Sequence, residues 1–324
     1  MTTGPVLEAG GAGLSRALAE AERRLAEVAE QGGGALGPHV SETLEAGGKR
    51  LRPLLVNLCG GSVAGDRLMR AAVAVELLHM ATLVHDDVLD EAELRRKGAT
   101  INHLRGNEAA VLLGDYLISH SYHLCSGLDS QLASRTIART TNEVCEGELL
   151  QIHHRNNIDL DEPTYLEIIS RKTASLCATC CQLGATFAGA SEAVVERLET
   201  YGRSLGTAFQ IQDDILDIVG DVDTVGKTLG IDVEKGKMTL PMIHFLRTAP
   251  TEHRALLRSL LSSADADKAE RIRNLLLPTQ SIQYAHDRAR QLVDKALGAI
   301  SELSESEAKS VLQTMARFVI SRPM

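Results

Sequence analysis

Apolar residues recur at helical spacing along most of the chain, and no stretch alternates between apolar and polar positions for long enough to indicate a strand. Helices are predicted over residues 14–29, 38–45, 66–90, 107–127, 129–152, 163–190 and 191–220, then from about Pro241, with four more amphipathic helices over residues 251–324. Residues 66–90 leave little polar surface, so this helix is expected to be central and mostly buried.

This pattern predicts an all-α fold, a single-domain bundle of about a dozen helices around a central apolar pocket. The Gly-rich residues 1–13 are expected to be a disordered tail, and residues 14–324 to form the domain. The polar stretch over residues 91–106 is expected to be a loop.

The composition narrows the classes of function. The chain has 324 residues, of which 44% are hydrophobic, so it can bury a large core. Its formal net charge of −9 argues against general nucleic-acid binding, which needs a basic surface. No run of 18 or more apolar residues predicts a membrane span, and no signal peptide is recognised, so a cytoplasmic protein is expected.

The six cysteines are expected to be reduced thiols that pack within helices. Cys177, Cys180 and Cys181 have a spacing that a metal site can use, but no second cysteine pair completes such a site. Packing is therefore the favoured role for them.

Two acidic clusters share the pattern Asp-Asp-x-x-Asp, and both follow apolar helical stretches. Their members are Asp86, Asp87 and Asp90 in the first cluster, and Asp213, Asp214 and Asp217 in the second. In a helix, residues four apart project from one face, so the first and last aspartate of each cluster lie together. One such cluster is equally well explained by a solvated helix end. Two copies indicate a site for hard divalent cations such as Mg²⁺, with the clusters facing each other.

Basic residues accompany the acidic clusters and indicate an anionic partner, because lysine and arginine donate hydrogen bonds but do not ligate Mg²⁺. They gather at residues 49–52 and 95–97, and lysines border residues 221–236, a Gly- and Asp-rich loop that has the character of a closing lid. No P-loop is present, so a nucleotide site of that kind is not predicted. With apolar helices below the acidic clusters, the expected ligand has a diphosphate head and a hydrocarbon tail.

Five linked motifs resemble those of trans-isoprenyl diphosphate synthases, in the polyprenyl synthetase family. The motifs are GGKRLRP at residues 47–53, ELLHMATLVHDDVLDEAELRR at 76–96, RKTASL at 171–176, FQIQDDILDIVGD at 209–221, and GK at 226–227 with KGKMTLP at 235–241. The resemblance implies an isoprenoid synthase fold, a homodimer and an Mg²⁺-dependent prenyltransferase with three Mg²⁺ per active site. Such an enzyme condenses isopentenyl diphosphate with an allylic diphosphate.

The resemblance also implies a role for each polar motif residue. Asp86 and Asp90 would hold two metal ions and Asp213 the third, with Asp87, Asp214 and Asp217 in support. The residues implied to grip the allylic diphosphate are Arg95, Lys172, Thr173, Gln210, Lys227 and Lys237. Those implied to bind isopentenyl diphosphate are Lys49, Arg52, His79 and Arg96. The departing diphosphate is the implied proton acceptor, and the residues expected to matter most for turnover are Asp86, Asp87, Asp90, Arg95, Lys172, Asp213, Asp214 and Lys227.

Product length in this family depends on residues about one turn below the first acidic motif. Here these are the small residues Ala81 and Thr82, which would let the product grow to medium or long chain, as in quinone side-chain precursors. The floor of the pocket is then expected further on, among Tyr116, Ile118, Ser119, Tyr122 and His123. A short-chain farnesyl or geranylgeranyl diphosphate synthase is the alternative.

Three other interpretations fit the sequence less well. A class I terpene cyclase needs aromatic side chains to steer cations, whereas this chain has five Tyr, four Phe and no Trp. A non-catalytic partner subunit would lack some acidic or basic motif residues, and none is missing here. An inert helical scaffold would leave the clustered cations unexplained.

Overall fold

The computed structural model describes residues 11–45, 48, 50–61, 65–95, 98–128, 130–220, 230–265 and 267–321. In chain order the helices are α1 Gly11–Gln31, α2 Gly33–Glu45, α3 Leu51–Gly60, α4 Asp66–Leu89, α5 Ile101–Arg105, α6 Asn107–Ser126, α7 Gln131–His153, α8 Glu162–Ile169, α9 Ser175–Phe187, α10 Glu192–Val219, α11 Ile231–Glu234, α12 Leu240–Thr248, α13 Thr251–Leu261, α14 Lys268–Leu276, α15 Ser281–Ala299 and α16 Glu307–Ile320. A π-helical segment, Ser170–Ala174, lies between α8 and α9. Strands β1 Leu94–Arg95 and β2 Gly98–Ala99 form an antiparallel pair. The all-α prediction is confirmed.

The chain divides into two compact units. Unit 1 comprises Met1–Asn142, Leu176–Gly202 and Glu302–Thr314, and unit 2 comprises Glu143–Ser175, Arg203–Ser301 and Met315–Met324. The first acidic cluster therefore belongs to unit 1 and the second to unit 2. One domain over residues 14–324 stays a prediction, as does a metal site shared by the two clusters.

Helix α4 is the buried centre of unit 1, as its apolar pattern predicts. Its alanine, valine and leucine side chains are largely buried between Leu68 and Val84. By length and composition this helix resembles a membrane span, but 72% of its most apolar stretch is buried inside the protein. That burial is typical of a core helix.

Helix α6 packs on α4 through one face. Every fourth residue of that face is buried, namely Leu113, Leu117, Ser121 and Cys125. The Ser121 hydroxyl donates to the carbonyl oxygen of Ala74 in α4 at 2.7 Å, so the polar group on this face is satisfied inside the core.

Two helix boundaries near the start of the chain differ from the prediction. Helix α1 begins at Gly11, so residues 11–13 are helical, and only residues 1–10 of the predicted tail lie outside the described residues. Helix α2 begins at Gly33 rather than near Pro38. A Cβ atom at Gly37 would lie 2.8 Å from the carbonyl oxygen of Ala29, so glycine permits the close approach of these two helices.

Two further regions differ from the prediction. Residues 91–106 contain β1, β2 and α5 rather than only a loop, because strands of two residues are too short to show alternation in the sequence. The Thr100 side chain caps α5 by accepting from the His103 N–H. The helix predicted over residues 163–190 is interrupted by the π-helical segment, in which the Ser175 N–H donates to the Ser170 carbonyl oxygen.

Candidate active site

The first acidic motif lies at the end of α4. Asp86 and Asp87 belong to its last turn, and Asp90 is its C-cap residue, whose N–H donates to the Asp86 carbonyl oxygen at 2.8 Å. Asp86 and Asp90 are half-buried, whereas Asp87 is only 5% exposed. The two residues predicted to hold metal ions are thus the more accessible members of the motif.

Asp87 is paired with Arg95. The Arg95 Nε donates to Asp87 Oδ1 at 2.7 Å. Burial raises the pKa of the Asp87 carboxyl, and the charge of Arg95 opposes that rise. The strand pair β1–β2 carries Arg95, and the Asn102 amide ties this region to the motif by donating to the carbonyl oxygens of Asp87 and Ala92 at 3.2 and 3.1 Å. A cation predicted to bind diphosphate is therefore held beside the first motif.

Arg50 is a site residue that the sequence reasoning missed. Its backbone adopts the left-handed region, with a φ of 47°, immediately before α3. Its Nη1 donates to Glu76 Oε1 at 3.0 Å, and the two side chains are only 10% and 4% exposed. Removing one partner of such a buried pair leaves an uncompensated charge and destabilises a protein by about 3–5 kcal/mol. Glu76 was the available signal, because a carboxylate within an apolar helix needs a cation.

A cavity in unit 1 brings these groups together. It is lined by Glu42, Thr43, Arg50, Glu76, His79, Met80, Leu83, Val84, Asp87, Arg95, Ala99, Thr100 and Ile101. Of the residues predicted to bind diphosphates, His79 and Arg95 are in this lining. Arg52 is half-buried on α3, and its Nε has no hydrogen-bond partner among the described residues. Lys49 and Arg96 lie outside the described residues.

The predicted chain-length residues lie between Met80 and Leu83, which both line this cavity. Ala81 is fully buried, and the half-buried Thr82 donates its hydroxyl to the His79 carbonyl oxygen at 2.7 Å. Neither residue lines the unit 1 cavity. Among the residues proposed for a pocket floor, Ser119 and His123 are exposed on α6, so they do not form a buried floor within this chain. Tyr116, Ile118 and Tyr122 are half-buried.

The second acidic motif lies near the end of α10, and its middle aspartate is enclosed by donors. The Tyr165 hydroxyl donates to Asp214 Oδ2 at 2.6 Å, and the Gln210 amide donates to Asp214 Oδ1 at 2.8 Å. Burial raises the pKa of Asp214 well above its usual range, and the nearby carboxylate of Asp232 adds to the rise. Tyr165 and Asp232 were not predicted from the sequence.

The other two aspartates of this motif are half-buried. Asp217 accepts hydrogen bonds from the backbone N–H groups of Ile231 and Asp232 at 3.3 and 3.0 Å. It therefore holds the first turn of the short helix α11, where a carboxylate is electrostatically favoured. The supporting role of Asp217 and the role of Asp213 as the metal ligand of the motif both stay predictions.

The predicted Lys172 and Thr173 lie in the π-helical segment. Lys172 Nζ donates to Gln151 Oε1 at 2.8 Å and forms an ion pair with Glu148, both on α7. A Cβ atom at Gly147, on the same helix, would lie 2.5 Å from the Lys172 backbone nitrogen. Glycine thus allows α7 to approach Lys172, and Glu148 and Gln151 orient its ammonium group.

A second cavity, in unit 2, contains most of these residues. It is lined by Gln151, His154, Leu160, Tyr165, Ile168, Ile169, Lys172, Thr173, Gln210, Asp214, Asp232, Lys237, Met238 and Thr239. Four residues predicted to bind the allylic diphosphate, Lys172, Thr173, Gln210 and Lys237, are therefore neighbours in one cavity. His154 is half-buried in this lining, whereas the neighbouring His153 is exposed. Lys227 and most of the predicted lid, residues 221–229, lie outside the described residues.

The donor chemistry of the acidic motifs fits Mg²⁺. This ion is usually bound by one or two carboxylates, with water and phosphate oxygens completing its coordination. Asp86 and Asp90 form a half-buried pair of that kind on α4, and Asp213 offers a further half-buried carboxylate on α10. Among the described residues no group of three or more His, Cys, Asp and Glu side chains is arranged to hold a metal by itself. A diphosphate is therefore the expected source of the remaining ligands.

The cysteines have the surroundings of packing residues. All six are free thiols, and Cys59, Cys125, Cys180 and Cys181 are buried. Burial raises the pKa of Cys125 to about 12, so this thiol stays protonated at neutral pH.

This chain is similar to known proteins over most of its length. The chain matches the family model described as Polyprenyl synthetase over residues 35–276. It is 38% identical over 308 residues to heptaprenyl diphosphate synthase component 2 of Geobacillus stearothermophilus, covering 94% of this chain and 96% of the relative. It is 36% identical over 289 residues to geranylgeranyl diphosphate synthase of Saccharolobus solfataricus, covering 86% of this chain and 87% of the relative. The crystal structure of a polyprenyl synthase from Caulobacter crescentus, complexed with calcium and isoprenyl diphosphate, is similar with a TM-score of 0.86 and 34% identity, covering 95% of this chain and 97% of that one.

Proposed function

Because the chain belongs to the polyprenyl synthetase family and is therefore a prenyltransferase, we propose that it condenses isopentenyl diphosphate with an allylic diphosphate to extend an all-trans polyprenyl diphosphate. The observation that carries this proposal is that carboxylates and cations line both cavities. Arg95 lies 2.7 Å from Asp87 in unit 1, and Lys172 and Lys237 line the cavity of Asp214 in unit 2. A diphosphate complexed with Mg²⁺ needs both kinds of group.

The binding roles follow the motif positions, and the charge and accessibility of the residues support them. Three aspartates are assigned to hold three Mg²⁺, namely Asp86, Asp90 and Asp213. When bound, these ions would neutralise the diphosphate and favour its departure. Asp87, Asp214 and Asp217 support them through the contacts described above. The similar Caulobacter crescentus enzyme, crystallised with calcium and isoprenyl diphosphate, supports a divalent cation and an isoprenoid ligand for this chain.

The protein's own cations stabilise the leaving group. Arg95, Lys172 and Lys237 bind the allylic diphosphate, so charge that develops on its oxygens as the carbon–oxygen bond breaks is met by fixed donors. Thr173 and Gln210 are placed to complete this binding. Arg52 and His79 bind isopentenyl diphosphate, and its double bond forms the new carbon–carbon bond. The departing diphosphate accepts the proton that is then lost. Motif position alone assigns three further residues to these two substrates, namely Lys49, Arg96 and Lys227.

A medium- or long-chain product is the favoured outcome. The similarity to heptaprenyl diphosphate synthase component 2 supports it, as do the small side chains of Ala81 and Thr82. The similarity to geranylgeranyl diphosphate synthase supports a short-chain product as the second candidate. Incubation with Mg²⁺, isopentenyl diphosphate and allylic primers of increasing length, followed by chromatographic sizing of the products, distinguishes the two.

Two variants test the metal assignment. Asp86→Ala and Asp213→Ala are expected to reduce turnover at least about a hundredfold with an unchanged circular dichroism spectrum, because each removes a ligand for the metal ions. Asp287→Ala is the control, since this half-buried carboxylate lies on α15 and interacts with Gln283 and Arg290. Near-normal turnover of either test variant contradicts the assignment.

We further propose that the enzyme is a cytoplasmic homodimer. Sedimentation is then expected to give a particle of twice the 34.9 kDa of one chain. The similar Geobacillus protein is named as a second component, so a requirement for a different partner chain is the competing outcome. Activity of the purified chain alone excludes that requirement.

A further inference from the structure

A chain of hydrogen bonds connects Tyr165 to Thr173 through the second acidic motif. The Tyr165 hydroxyl donates to Asp214 Oδ2 at 2.6 Å, and the Gln210 amide donates to Asp214 Oδ1 at 2.8 Å. The Thr173 hydroxyl then donates to Gln210 Oε1 at 3.0 Å. All four side chains line the unit 2 cavity, and Tyr165 is only 3% exposed.

The bonds of this chain depend on one orientation of the Gln210 amide. Its nitrogen faces Asp214 Oδ1, so its oxygen faces Thr173 and accepts the hydroxyl hydrogen. Because Tyr165 occupies the other Asp214 oxygen, rotation of the carboxylate would break two hydrogen bonds rather than one. The orientation of Gln210 and Thr173 thus depends on the Tyr165 hydroxyl, which acts through Asp214.

The Tyr165 hydroxyl is itself well anchored. Helix α8, which carries it, begins with a cap in which Asp161 accepts from the Thr164 N–H at 2.9 Å. The next residue, Glu162, accepts from the Tyr284 hydroxyl at 2.6 Å and from Arg288 Nε at 2.8 Å. These contacts hold the first turn of α8 in place, so Tyr165 presents its hydroxyl to Asp214 in one position.

We propose that Tyr165 is a positioning residue for the diphosphate-binding groups Gln210 and Thr173, acting through Asp214. The proposal rests on the function proposed above, which assigns Gln210 and Thr173 to the allylic diphosphate. Loss of the hydroxyl leaves one Asp214 oxygen without its donor, and the carboxylate and the Gln210 amide gain freedom to rotate. Binding of diphosphate then weakens although every group that touches it is still present.

The test compares Tyr165→Phe with Tyr201→Phe. Tyr201 is a fully buried tyrosine of unit 1 whose hydroxyl donates to the Leu312 carbonyl oxygen at 2.7 Å, so its variant also loses one buried hydrogen bond. Three quantities are measured for both: the Kd for inorganic pyrophosphate with Mg²⁺ by calorimetry, the separate KM values for the two substrates, and the midpoint of thermal unfolding. Tyr165→Phe is expected to raise the pyrophosphate Kd and the allylic KM about tenfold and the isopentenyl diphosphate KM less than about twofold. Tyr201→Phe is expected to change only the unfolding midpoint.

A double-variant cycle with Gln210→Ala separates positioning from a general loss of stability. If Tyr165 acts through Gln210, its substitution has little further effect on the pyrophosphate Kd once Gln210 is absent. Additive effects, or a Tyr165→Phe variant that binds pyrophosphate as Tyr201→Phe does, overturn the proposal. If the unaltered protein neither binds pyrophosphate with Mg²⁺ nor converts the substrates, the proposed function itself fails, which is a different result.

Discussion

Gly147 offers a sharp test of how the protein positions Lys172. This glycine lies within α7, where an added methyl group would normally favour the helix by about 1 kcal/mol. Here, a Cβ atom at position 147 would lie 2.5 Å from the Lys172 nitrogen and 2.9 Å from both Lys172 Cα and Arg171 Cβ. The atoms in the way are mostly backbone, so no flexible side chain relieves the contact.

The size of the effect follows from these distances. Ordinary contact begins at 3.4 Å, so Gly147→Ala forces α7 and the π-helical segment apart by about 1 Å. Overpacking of this kind costs about 1–3 kcal/mol, partly offset by the better helix propensity of alanine. A displacement of about 1 Å at a group that binds the reacting substrate reduces turnover by about a hundredfold. The loss of activity is therefore expected to be much larger than the loss of stability.

The assay measures kcat/KM for the allylic diphosphate together with the free energy of unfolding. Gly298→Ala is the matched control, because Gly298 is also helical and a Cβ atom there meets nothing within 4 Å. This control is expected to keep full activity and to be stabilised by up to about 1 kcal/mol. Full activity of Gly147→Ala would refute the idea that the α7 contact sets the position of Lys172.

Two further predictions concern product length and pH. Ala81→Phe is expected to shorten the product, because a phenyl ring at this fully buried position of α4 would narrow a pocket that runs past it. An unchanged product length on chromatography refutes such a pocket. Burial lowers the pKa of His244 below its usual 6.5, and the charge of Arg247 lowers it further. The neutral His244 ring therefore stabilises the folded protein fully above pH 6.5, and this stabilisation is lost as the pH falls through the lowered pKa. His244→Phe, which keeps an aromatic ring to stack on Tyr284, is expected to lessen the acid-induced fall in unfolding free energy, and an identical pH dependence contradicts this.

Spacing along one helix revealed the acidic clusters, whereas the motif resemblance supplied the other predicted site residues. The aspartates of each acidic motif are neighbours on one helix, and Lys172 adjoins Thr173, so their proximity follows from helical geometry alone. Tyr165 and Asp214 are 49 residues apart, and their hydrogen bond leaves no trace in any periodic pattern. The same holds for Arg50 and Glu76, which are 26 residues apart. Pairing of this kind depends on how helices pack, which spacing along one helix does not encode.

Residues that are unfavourable for their helix mark two contacts of this kind. Glycine destabilises the interior of a helix, and a carboxylate destabilises an apolar core. The glycine within α7 and the carboxylate within the apolar α4 therefore each indicate a compensating tertiary contact. The contact of Gly147 proves to be Lys172, and that of Glu76 proves to be Arg50. Glu76 also lies one turn before His79 in the same cavity lining. A local misfit within a helix therefore marks a position where packing supports a cation, while the fold is needed to identify the partner of each misfit.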